Sequence, residues 1–193
     1  MASPASLAPL IEVLGLLEEL GVTYLLGGSF ASSIHGVPRG TRDADLLVEL
    51  SREQAGALVS GLGPAYYADL AMMEDSLARG ISFNVIHMAT SFKIDFFPAG
   101  RGNFERSELE RRRREPLGDH HAYVSTPEDT LLAKLRWYRM GGESSDTQWR
   151  DIMGIVEVKA DSLDAAYLER WARDLGLTDL LERARREAGP ARG

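Results

Sequence analysis

The chain has no cysteine. That absence excludes a disulfide framework, thiolate zinc sites and a cysteine nucleophile, and it suits a reducing compartment. Long hydrophobic runs are missing too, since no apolar stretch approaches the roughly 20 residues a membrane span needs. The segment from Leu7 to Leu20 is apolar but carries Glu12, Glu18 and Glu19 and has no basic flank. It reads as an amphipathic helix, not a signal peptide, so the expected location is cytoplasmic with no membrane partner. Positive charge is scarce: 22 Lys and Arg face 29 Asp and Glu, for a net charge of −7. Such a balance argues against broad nucleic-acid binding, which draws on phosphate neutralisation. The dense cationic run, Arg111 to Arg114, follows Glu105, Glu108 and Glu110 in a helix-like stretch. Its plainest reading is a solvated, salt-laced face, with phosphate binding as the alternative. The four histidines, at 35, 87, 120 and 121, lack metal-ligand spacing.

What is present is enough for a core: 44% of 193 residues are hydrophobic, an ordinary globular share. Leu7, Leu10, Ile11, Leu14, Leu17 and Leu20 recur with helical period. Strands are expected at 22–26, 43–50, 81–87, 92–97 and 122–125. Helices are expected at 29–35, after Ser51 with its Gln54 capping partner, and near 70–78. Thr126-Pro127-Glu128-Asp129 marks a strong helix start. That helix should end at Gly141, and three more should follow at 146–158, 163–175 and 178–188. Trp137, Tyr138, Trp149 and Trp171 fall at helical positions and read as core or helix-packing residues. The expected class is α/β, a mixed sheet of four or five strands flanked by helices. The expected division is a catalytic core over 1–125, a helical part over 126–188 packed on it, and a disordered tail over 189–193.

The informative feature is an order of events. A strand leads into Gly27-Gly28-Ser29, then a short helix and a loop, then a strand opening with Asp43-Ala44-Asp45. Alternate strand residues point the same way, so both carboxylates share a face. Two aspartates on one strand face repel, and a divalent cation resolves that conflict. The paired glycines allow close backbone approach, and a helix start behind them offers N–H groups to phosphate. Ser29 adds a hydroxyl that either binds phosphate or caps the helix. A third acid, Asp95, lies between Ile94 and Phe96, where a carboxylate is costly unless it faces an open site. Three such acids on neighbouring strands could hold two metals.

Gly27-Gly28-Ser29, thirteen residues, then Asp43-Ala44-Asp45 resembles the signature of the nucleotidyltransferase superfamily with the polymerase-beta-like fold. Asp95 falls where that family's third acid is expected. The longer pattern, with His35-Gly36 and Arg39-Gly40-Thr41-Arg42 before the acids, is similar to the bacterial toxin-type (AbiEii-like) branch. So are Lys134 in a later helix and Asp151 in the next. Ala44 departs from the pattern, where a larger aliphatic residue is usual. The resemblance implies transfer of a nucleoside monophosphate from an NTP to an acceptor hydroxyl, with release of pyrophosphate. Asp43, Asp45 and Asp95 would be the catalytic and metal-binding residues for two Mg2+ ions, with Mn2+ as an alternative. Gly27, Gly28, Ser29, Arg39, Lys134 and Asp151 would bind the nucleotide. Read without the resemblance, Lys134 could equally snorkel from an amphipathic helix, Asp151 could pair with an arginine, and Arg39 could brace its loop. The acceptor stays open between tRNA, a protein side chain and a small hydroxylated molecule, and an antitoxin partner is compatible with the branch. Two other readings stand beside this one: a non-catalytic nucleotide-binding or toxin–antitoxin module of the same fold, and an unrelated metal-dependent phosphohydrolase.

Overall fold

The computed structural model describes residues 4–100 and 102–189; most of the expected disordered tail, residues 190–193, lies outside them. The chain divides into two compact units, residues 1–27 with 40–124 and residues 28–39 with 125–193. Thus the short segment after the first strand groups with the C-terminal helices.

In the first unit, β1 (Thr23–Leu26), β2 (Asp43–Glu49), β3 (Tyr66–Tyr67), β4 (Phe83–His87), β5 (Phe92–Pro98), β6 (Arg113–Leu117) and β7 (His120–Val124) form one sheet in the order β3-β4-β5-β2-β1-β7-β6. The centre is mixed: β2 runs antiparallel to β1 and parallel to β5. Four helices accompany it, α1 (Pro4–Glu19), α3 (Arg52–Leu62), α4 (Leu70–Arg79) and α5 (Asn103–Arg111). Ser51 and Gln54 close the anticipated capping box at the start of α3. The sheet alternates, with Leu46, Val48, Ile94 and Phe96 fully buried and the residues between them half-exposed.

The sheet has seven strands, not four or five. Both additions are edges. β3 is two residues long with Tyr67 exposed. β6 carries two exposed arginines and Pro116, the charged, proline-bearing composition that protects an edge from pairing. The cationic run is therefore not one helix face: Arg111 ends α5, and Arg113 and Arg114 lie in β6. Arg112 sits between them, donates to the Leu109 carbonyl, and stacks 4.8 Å from the Tyr123 ring.

The second unit comprises α2 (Gly28–His35), α6 (Pro127–Met140), α7 (Asp146–Lys159), α8 (Ala165–Asp174) and α9 (Thr178–Ala188). Thr126 caps α6 as expected, accepting from the Asp129 amide at 3.2 Å. The wholly buried Asp129 carboxylate accepts from Thr126 Oγ1 (2.6 Å) and Tyr167 OH (2.5 Å), so a buried acid is satisfied locally. Trp171 and Tyr138 are buried as expected, but Trp137 is 50% exposed, so it is not a core residue; its phase on α6 is opposite to that of Leu131 and Leu135. Among the described residues, no helix is long and apolar enough to cross a membrane.

Candidate active site

Strand alternation puts the three acids on one face of the sheet. Asp43 and Asp45 are half-exposed while Ala44 and Leu46 are buried; on β5, Lys93 and Asp95 are half-exposed while Ile94 and Phe96 are buried. Parallel register sets Asp45 directly opposite Asp95, and Asp43 opposite Lys93. On the other flank of β5, Asn84 of β4 stands opposite Asp95. The glycine turn is tied to the same place, because the Gly27 amide donates to the Asp45 carbonyl at 2.9 Å. Ala44, buried, points to the other face of β2 from those carboxylates.

Asp43 and Asp95 each have a close side-chain partner. Thr41 Oγ1 donates to Asp43 Oδ1 at 2.5 Å, and Lys93 Nζ lies 2.7 Å from Asp95 Oδ2. The hydrogen bond to Asp95 holds the Lys93 ammonium above the ordinary lysine range; partial burial opposes it, and the negative fields of Asp95, Asp43 and Asp45 add to it. Lys93 and Thr41 were missed in the sequence. The signal for Lys93 was there, two positions before Asp95 on the same strand face. Neighbouring strands are about 5 Å apart, and two carboxylates at that distance repel by roughly 3 kcal/mol at an effective dielectric near 20.

The second unit assembles the other predicted residues. Gly28 opens α2 with φ of 54°, a left-handed conformation that glycine adopts without strain. Arg39 grips Asp151 with two bonds, Nε to Oδ1 and Nη2 to Oδ2, both 2.9 Å. Its Nη2 also donates to Ser29 Oγ at 2.6 Å, so the Ser29 hydroxyl serves Arg39. Lys134 Nζ donates to Asp151 Oδ2 at 2.8 Å, with both side chains 5% exposed. Lys134 is thus a buried, paired cation and does not snorkel. Burial alone would push the Asp151 carboxyl up, but the hydrogen bonds from Arg39 and Lys134 outweigh it and hold it below the usual carboxylate range. The loop reaches α7 because Gly36 lies against Gly154: a Cβ at Gly36 would meet the Gly154 carbonyl carbon at 2.8 Å and the Ile155 nitrogen at 2.9 Å. His35, also buried, is fixed by the Ser125 carbonyl at 2.6 Å.

In kind, the carboxylate face fits a hard divalent cation, since its donors are carboxylate oxygens on adjacent strands. As the side chains stand, among the described residues no three acids or histidines converge on one point. Lys93 holds one oxygen of Asp95, Oδ2, and the Thr41 hydroxyl holds one oxygen of Asp43.

The fold is similar to that of solved nucleotidyltransferase structures. The solution structure of the antibiotic-resistance factor ANT(2″)-Ia matches with a TM-score of 0.57 and 16% identity, over 94% of this chain and 97% of that one. The lincomycin-bound lincosamide antibiotic adenylyltransferase LnuA matches at 0.53 and 15% identity, over 81% and 98%. An antigenic nucleotidyltransferase-like protein from Paracoccidioides brasiliensis matches at 0.50 and 17%, over 94% and 93%. No family model matches the chain, and no curated protein sequence matches it.

Proposed function

We propose that the protein is a nucleotidyltransferase that moves a nucleoside monophosphate from an NTP to an acceptor hydroxyl. The observation that carries this reading is the register of Asp45 against Asp95 on a nucleotidyltransferase fold, with the Gly27 amide bonded to the Asp45 carbonyl. The acceptor oxygen would attack the α-phosphorus, the bond to the bridging oxygen would break, and pyrophosphate would leave. Asp43, Asp45 and Asp95 would hold Mg2+, with two ions the working number and Mn2+ a substitute; the metal would supply positive charge for the developing phosphoryl oxygens. Asp95 would receive the acceptor's proton. Gly27, Gly28 and Ser29 would cradle phosphate, and Arg39, Lys134 and Asp151, joined by two ion pairs, would complete the nucleotide-binding set. Catalysis of this kind rests on positioning and electrostatics.

A small hydroxylated molecule is the preferred acceptor class. Support comes from structures sharing the fold, one a complex with adenylyl-2″-tobramycin and one with lincomycin bound, and from the acidic balance of the chain. Transfer to tRNA or to a protein is the alternative outcome. One observation favours a second reading, a nucleotide-binding or toxin–antitoxin module without turnover: Lys93 sits on the third carboxylate. The two separate in one experiment. Purified protein is incubated with each NTP, Mg2+ and a panel of aminoglycosides, lincosamides, tRNA and cell protein, and pyrophosphate is measured. Acceptor-dependent pyrophosphate release supports transfer. Nucleotide binding with no pyrophosphate under any acceptor supports the module.

A further inference from the structure

Lys93 places a cation on the carboxylate face, and strand geometry alone accounts for its place: β5 alternates, and Lys93 and Asp95 share the half-exposed side. An ammonium has three donors and no acceptor, so on a face of carboxylates it can only neutralise them. It is bonded to Asp95 at 2.7 Å and stands opposite Asp43 in register. Its side chain is 42% exposed while that of Asp95 is 17% exposed, so the lysine has room to leave and the carboxylate does not. A divalent cation shared by Asp45 and Asp95 would compete with Lys93 for the Asp95 carboxylate, and would be repelled by the ammonium beside it.

We propose that Lys93 is a resident counter-ion of this site: its ammonium holds Asp95 when no divalent cation is bound and must release it before one binds there. The inference rests on the metal-site assignment proposed above. Lys93 is a positioning residue here, acting through Asp95. In the nucleotide-free protein the lysine relieves the carboxylate repulsion and keeps metal affinity low. An NTP brings several negative charges of its own, which offer Lys93 another partner, so metal enters with nucleotide rather than ahead of it.

The test is Mn2+ binding, followed by the electron paramagnetic resonance of the free ion, with and without a nonhydrolysable NTP. Without nucleotide, Lys93→Met should bind Mn2+ at least tenfold more tightly than wild type, about 1.4 kcal/mol. Lys93→Gln should do the same, which guards against a folding defect in one variant. Lys93→Arg, which keeps the charge, should stay within about threefold of wild type. With the nucleotide analogue present, the gap between wild type and Lys93→Met should narrow. Unchanged or weaker Mn2+ binding in both uncharged variants overturns the counter-ion role. Asp45→Asn separates that failure from a failure of the site. If it loses Mn2+ while the Lys93 variants gain none, only the counter-ion role falls. If it retains full Mn2+ binding, or if no protein binds Mn2+ under either condition, the metal-site assignment falls and the inference with it.

Discussion

Two charge clusters of opposite sign lie in the two compact units, and they are finished differently. The carboxylate face of β2 and β5 is half-exposed, and its Lys93–Asp95 pair is 42% and 17% exposed. The Arg39–Lys134–Asp151 cluster is largely buried, and its one acid is saturated by two cations. Exposed pairs contribute little to stability, about 0–1 kcal/mol, whereas removing one partner of a buried pair strands a charge. The first cluster is therefore free to serve a reaction, and the second must also hold its unit together. Substitutions should separate the two: activity without stability in one, both together in the other.

The largest expected effect is on turnover. Asp45→Asn should lower nucleotidyl transfer on the order of 100-fold or more, as for loss of one preorganised electrostatic group, while its stability without metal stays within about 1 kcal/mol of wild type, as for a half-exposed substitution. A variant that melts well below wild type would show that Asp45 is structural. Next comes Asp151→Asn, which leaves the buried Lys134 ammonium without its carboxylate. Breaking a buried pair from one side costs about 3–5 kcal/mol, so melting should fall by roughly 6–12 °C or more for a chain this size. An unchanged melting temperature would mean that the cluster is not the buried ion pair described.

Smaller still is the acid response. Asp151 is held below its ordinary range, so its contribution is present above the unfolded value of about 3.9 and is lost as pH falls through the folded value. Melting curves between about pH 5 and pH 2.5 should fall more steeply in wild type than in Asp151→Asn; parallel curves would remove Asp151 as an acid-sensitive group. The smallest effect belongs to the exposed Glu53 outside both clusters. Glu53→Gln should change melting by less than about 0.5 kcal/mol equivalent and leave turnover alone; any larger change would show that general surface charge, not the clusters, is being measured.

Much of the carboxylate face was legible because it depends on a period of two. Asp43, Asp45 and Asp95 each alternate with buried apolar neighbours, and that pattern places them on one face before any contact is known. Lys93 obeys the same rule, two positions before Asp95 on the same face. The edge strands were illegible for a physical reason: β3 and β6 lack the β-branched, alternating composition of a half-buried strand, since an edge is protected by being charged, short or proline-bearing. The burial of Lys134 was beyond local pattern too. Its helix offers an ordinary amphipathic sequence, and the reason it is buried stands 17 positions away at Asp151. The Arg39–Asp151 pairing in turn brings the loop after α2 against α7, where two glycines far apart in the chain, Gly36 and Gly154, meet.

The most direct test of the account follows two labels at once: an NTP carrying one label in its α-phosphate and another in its γ-phosphate, incubated with protein, Mg2+ and the acceptor panel. The account predicts α-label joined to an acceptor, γ-label recovered in pyrophosphate, and both lost in Asp45→Asn. Gamma-label released as inorganic phosphate, with no α-labelled acceptor under any condition, would contradict it.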